Sequence, residues 1–216
     1  MRKIGDGSML EFTLQLVRDN AARAITTIAA LTAVQTALDL LSSGRGSLGA
    51  VTTAATVYAN YTIVAGLLGE LGLMPDGYRT RPFWAMLGLS ILTGLGTAIG
   101  FVLLIVPGVI LLVRWSLCVP VLIGEETGVF EAMARSWQET KGRFWPIFGV
   151  FVTIYVVALL AGAVFAVLSF LPAGGFISTV GVNLAVYAGI VIGWHASVAI
   201  YAQYSSNVQS LSDVFA

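Results

Sequence analysis

From Phe83 to Gly124 the chain is continuously apolar and carries one charged side chain, Arg114. About 20 residues cross the hydrocarbon of a bilayer, so this run is too long for a single crossing. The pair Pro107-Gly108 supplies a break within it. The run is therefore predicted to hold a span from Phe83 to Val106, a tight turn, and a shorter span from Gly108 to Gly124.

The remaining segments follow the same logic. Apolar runs predict spans over 24–41, 48–74, 144–171 and 176–201, separated by turn-rich stretches such as Ser42-Ser43-Gly44-Arg45-Gly46 and Leu171-Pro172-Ala173-Gly174-Gly175. Hydrophobic residues make up 57% of the chain and charged residues 10%, with mean hydropathy +0.90. A soluble domain carries roughly 25% charge, so membrane is the solvent that this composition requires.

Two segments have a different period. Ser8 stands three residues before Glu11, a capping-box spacing, and Leu10, Leu14, Val17 and Ala21 then recur opposite Glu11, Gln15 and Arg18. Over 127–141, Phe130, Met133, Ala134 and Trp137 form one face, with Glu131, Arg135, Gln138 and Glu139 opposite. Both segments, 8–23 and 127–141, are predicted to lie as amphipathic helices in the cytoplasmic interface. The expected fold is a single all-α integral membrane domain with six transmembrane helices and these two interfacial helices. The amphipathic segments align at an offset of 120 residues, placing Glu11 on Glu131, Asp19 on Glu139 and Arg23 on Arg143. An internal repeat and a chance likeness of short amphipathic helices both account for this.

Orientation follows from the cations. Arg2, Lys3, Arg18, Arg23, Arg79, Arg81, Arg135, Lys141 and Arg143, nine of the eleven Lys and Arg, fall on one side of the expected topology. The positive-inside rule then places both termini in the cytoplasm, with the chain multi-pass in the membrane. Trp84, Trp145, Trp194 and Tyr204 fall near the same interface. The first twenty residues hold no secretory apolar core, so no cleaved signal peptide is expected.

Several function classes lose support. Net charge is zero, which argues against a nucleic-acid partner. The single Cys118 and single His195 supply neither a disulfide nor a metal-ligand set, and no cofactor motif is present. No nucleophile, base or phosphate loop stands in a catalytic pattern, so the chain is not expected to be an enzyme.

The polar residues inside apolar spans are the candidate site. A charge in hydrocarbon costs about 2.5 to 3.5 kcal/mol on an insertion scale, so Arg114 needs a partner inside the bundle. Gln35 and Asp39 share a face of the first span at i,i+4, and Asn183 lies at similar depth on the last. Asp39 is the expected ion partner of Arg114, with Gln35 and Asn183 as hydrogen-bonding neighbours. This cluster reads either as an anion or headgroup site or as interhelical glue. Arg135, Lys141 and Arg143 are candidate contacts to lipid headgroups. His195 and Asn60 are the other polar groups within spans, and the lone histidine, beside Trp194, reads as a hydrogen-bonded packing residue. Gly96-x-x-x-Gly100 and Gly189-x-x-x-Gly193 permit close approach of helices without identifying their partners.

The stretch Val106–Phe148, through Pro107-Gly108, Arg114, Pro120, Glu125 or Glu126, Ala132, Ser136, Thr140, Gly142, Arg143 and Phe144-Trp145, resembles the YciC-like bacterial membrane proteins. That family is named for the membrane domain attached to some glycerophosphoryl diester phosphodiesterases. The resemblance implies an integral inner-membrane protein. The chain ends at Ala216, soon after the last span, so the phosphodiesterase catalytic domain is expected to be missing and its activity is not carried over.

Two readings of function remain. One is a non-enzymatic structural or accessory role in the envelope, through membrane lipids, a protein partner or a second copy of the chain. The other is a small-solute or anion transporter or channel with its site around Arg114.

Overall fold

The computed structural model describes residues 8–42, 49–74, 83–171 and 174–215, and all regular structure among them is helical. In chain order the helices are α1 (Met9–Asp19), α2 (Ala21–Ser42), α3 (Gly49–Glu70), α4 (Phe83–Leu103), α5 (Ile105–Arg114), α6 (Cys118–Gly124), α7 (Val129–Glu139), α8 (Phe144–Val167, prolonged by a 3-10 turn to Phe170) and α9 (Gly174–Phe215). Six stretches are long and apolar enough to cross a membrane: Ala21–Leu41, Gly49–Glu70, Trp84–Leu103, Ile105–Gly124, Phe144–Phe170 and Gly174–Ser205. The chain is an all-α integral membrane protein.

Local chemistry sets the helix ends. Ser8 and Glu11 form the expected capping box: the Glu11 N–H donates to Ser8 Oγ at 3.3 Å and the Ser8 N–H to Glu11 Oε2 at 3.1 Å. Helix α3 ends where Gly72 adopts φ +68° and the Leu73 N–H reaches back to the Leu68 carbonyl at 2.9 Å. This is a Schellman-type stop that a residue with a Cβ resists.

The fourth apolar stretch departs from expectation. It is not one helix but α5 and α6, separated by a turn at residues 115–117. The reversal from α4 falls at Leu104, which is extended (φ −164°, ψ 145°), three residues ahead of Pro107. Pro107 lies in the first turn of α5, where its missing N–H has no intrahelical acceptor to lose.

The glycine pairs now have partners. A Cβ on Gly100 would lie 2.9 Å from the Gly108 backbone, and one on Gly96 would lie 2.5 Å from the Trp115 ring; these two glycines join α4 to α5. On α9, a Cβ on Gly189 would meet Ala158 at 2.8 Å, and one on Gly193 would meet the Tyr155 hydroxyl at 3.0 Å. That pair joins α9 to α8.

Arg23 and Glu70 form an ion pair at 2.9 Å where α2 begins and α3 ends, and both lie within electrostatic range of His195 on α9. This end of the bundle is here termed proximal. Phe151 of α8 faces Gly193 and shares an apolar cleft with Val113 of α5. The largest fully buried side chains, among them Leu67, Leu68, Met86, Leu117, Leu122, Ile123 and Ile147, gather at the proximal end. Toward the distal end Leu41, Val102, Leu159 and Phe170 face outward.

Candidate functional site

Helix α7 docks into the break between α5 and α6. The face it buries carries Ala132, Ser136, Glu139 and the following Thr140. Small side chains at i, i+4 and i+8 allow the close approach, and Ser136 supplies the polar contact. Its Oγ donates to the Arg114 carbonyl at 2.7 Å and accepts from the Leu117 N–H at 3.2 Å. Two backbone groups freed by the helix break are thereby satisfied without water.

Of the apolar face, Phe130 is 74% exposed and Trp137 41% exposed, Ala134 is exposed, and Met133 packs partly buried against the core; Glu131, Arg135 and Gln138 occupy the third side. The helix divides its surface three ways, and the small residues win the bundle because bulky ones would hold the helices apart.

Arg114 requires a correction. It was expected to pair with Asp39, but its Nη1 donates to the Trp137 carbonyl at 3.5 Å and to Thr140 Oγ1 at 3.4 Å. Its guanidinium stands 5.3 Å from the centre of the Trp137 ring. The expectation failed because it treated the fourth span as one straight helix. The break at 115–117 and the docking of α7 bring the C-terminal end of a helix, with the Trp137 carbonyl, to the guanidinium.

Asp39, Gln35 and Asn183 do come together, apart from Arg114. Asn183 Nδ2 donates to Asp39 Oδ2 at 2.9 Å and Thr36 Oγ1 at 3.2 Å. Gln35 Nε2 donates to Asp39 Oδ1 at 2.8 Å, and Gln35 Oε1 accepts from the Tyr187 hydroxyl at 3.2 Å. This network stitches α2 to α9 in the distal half, and Asp39 is exposed there.

The three basic residues near α7 have separate fates. Arg135 is held by carboxylates, with Nε 3.0 Å from Glu125 Oε2 and Nη2 3.6 Å from Glu139 Oε1. Arg143 is exposed with its guanidinium 5.9 Å from the Tyr204 ring centre, and Lys141 is exposed.

Glu139 is the residue that sequence reasoning passed over, since it was assigned to the solvent face. Its side chain is 2% exposed, and neither carboxylate oxygen has a hydrogen-bond partner. Burial, then the neighbouring Glu125 charge, push its pKa up to about 7, against a smaller opposing pull from Arg135. His195 is fully buried and its Nδ1 lies 2.8 Å from the Val191 carbonyl, as a packing histidine would be. Among the described residues no group of three or more His, Cys, Asp or Glu is placed to hold a metal ion.

Residues 90–198, half of the chain, match the family described as the membrane domain of glycerophosphoryl diester phosphodiesterase. The chain belongs to this family. Its matched region contains α5 through α8, and so the whole Arg114–Ser136–Trp137–Thr140 junction, while Gln35 and Asp39 lie outside it. A UPF0259 membrane protein of Pectobacterium carotovorum subsp. carotovorum (strain PC1) is 30% identical over 105 residues, covering 44% of this chain and 42% of the relative. The chain thus matches less than half the length of that curated relative. No solved structure matches.

Proposed function

We propose that this membrane domain has a non-enzymatic, accessory role in the bacterial envelope and acts through lipid contacts at its proximal end. The observation that carries the reading is the division of α7. One face locks into the α5–α6 break, and the face bearing Phe130 and Trp137 is left outside the bundle. A helix held this way, with a polar third side, suits the membrane interface. The proximal end is the cytoplasmic one in this reading, because it collects the cations, nine of eleven by sequence position.

The test is a spin label on Phe130→Cys in a Cys118→Ala background, reconstituted in bilayers. Collisions with oxygen dominating those with a water-soluble nickel chelate are expected. Domination by the chelate would place α7 in water and end the reading.

A further inference from the structure

We propose that Arg114 is the seat of a phospholipid phosphate in the leaflet at the proximal end. The inference rests on the lipid-contact reading above and gives it a ligand and a residue.

Depth comes first. The partners of Arg114, Trp137 and Thr140, belong to α7 and its C-cap, flanked by the exposed Arg135 and Lys141. A helix this charged on one side and apolar on another suits the membrane interface, the plane in which phosphates lie. A guanidinium held there has no need of a carboxylate partner inside the bundle.

Charge comes second. The two hydrogen bonds Arg114 makes, at 3.4 and 3.5 Å, are long and end on neutral oxygens. Its Nε is buried with no hydrogen-bond partner, and among the described residues no ion pair involves it. The guanidinium fork presents five N–H donors, so most of its capacity is unspent. A phosphodiester completes it with charge-assisted, two-pronged geometry that a carbonyl and a hydroxyl cannot supply.

Position comes third. Trp137, whose ring covers the guanidinium, lies on the outward face of α7 together with Phe130. The cation therefore borders the side from which lipid arrives. Lys141, exposed and directly after Thr140, adds a second positive charge there. A free anion would approach the same donors from water, but the aromatic flank is apolar, which favours a phosphate carried on acyl chains.

The experiment uses the whole protein purified in mild detergent, titrated with phosphatidylglycerol and read by native mass spectrometry. Arg114→Gln is expected to weaken retention of the lipid about tenfold, the loss of one charge-assisted contact, and Arg114→Lys to weaken it less. Unchanged retention in Arg114→Gln overturns the proposal. So does displacement of the lipid by inorganic phosphate, which would show a site for free anions. Should Arg114→Gln fail to fold, wild-type protein carrying 13C in its arginine guanidinium groups decides in bilayers. The resonance missing from Arg114→Lys should be dephased by lipid 31P, and its indifference to 31P overturns the proposal. Oxygen-dominated collisions at position 130 combined with a negative result here would remove the phosphate seat alone and leave the lipid-contact reading standing.

Discussion

Ser136 Oγ lies 2.7 Å from the Arg114 carbonyl, donating to it across 22 residues of sequence, and the same oxygen accepts from the Leu117 N–H. One hydroxyl therefore satisfies both sides of the break between α5 and α6. The break and the docking of α7 depend on each other, since each backbone group left without a partner in a nonaqueous site is costly.

Ser136→Ala is accordingly expected to destabilise the protein by about 1–3 kcal/mol, the cost of leaving buried polar groups unpaired. Thermal unfolding in detergent measures it. Loss of the Arg23–Glu70 pair in Glu70→Gln, which is roughly half exposed, should cost less than about 1 kcal/mol. A larger loss for Glu70→Gln than for Ser136→Ala would contradict the assignment of the break as the costlier site.

The close contact between α4 and α5 predicts a contrast within one helix. A Cβ at Gly100 would lie 2.9 Å from Gly108 Cα, whereas one at Gly94 would meet nothing within 4 Å. Gly100→Val should cost about 1–3 kcal/mol through forced separation of the backbones. Gly94→Val should fall within about 0.5 kcal/mol of the wild type, as substitutions away from packed features do. The same melting experiment reads both, and equal effects would mean that the helices do not meet at this face.

The spans and the capping box were legible because each rests on a local signal: apolar length, or an i,i+3 pair such as Ser8 and Glu11. Gln35, Asp39 and Asn183 come together as members of the expected cluster but without Arg114, since polar groups in neighbouring spans seek one another. The partners of Arg114 were not legible for a nonlocal reason: they depend on the docking of α7 at a helix break that no Pro or Gly at 115–117 announces. The amphipathic period of α7 was legible, and which of its residues meet the bundle was not; size decides there, and Ala132, Ser136 and Thr140 at four-residue spacing were the available signal.

Glu139 links α7 to pH. Its pKa is raised from 4.5 to about 7, by burial first and then by Glu125, with Arg135 opposing, and Tyr201 of α9 within range of the same charges. A carboxyl whose folded value exceeds its unfolded value binds more protons when folded. Its stabilisation is full below about pH 4.5 and is lost as pH rises through about 7. Stability should therefore fall across that window. Glu139→Gln, which keeps the shape without the charge, should flatten the profile and be the more stable form at pH 8 by about 1–3 kcal/mol. Unfolding midpoints at pH 5 and pH 8 check this, and parallel profiles for the two proteins would refute it.

The last prediction concerns the turn between α4 and α5. Residues Val102, Leu103, Leu104, Ile105 and Val106 are 67–86% exposed, and no polar side chain occurs between Thr97 and Arg114. A turn in water with five consecutive exposed aliphatic side chains would be an association site, whereas lipid covers such a tip at no cost. The reversal is economical in polar backbone: only Leu104 is non-helical, its N–H donates to the Gly100 carbonyl at 3.0 Å, the Gly108 N–H returns to the Leu104 carbonyl at 3.4 Å, and Pro107 has no N–H to satisfy. In a Cys118→Ala background, Leu104→Cys is expected to resist a membrane-impermeant maleimide applied from either side of the bilayer, and to react once detergent or denaturant removes the lipid. Ser43→Cys, in the polar turn-rich stretch after α2, is the reactive control. Equal labelling rates at positions 104 and 43 in intact membranes would mean that the turn emerges into water, and would refute the lipid cover.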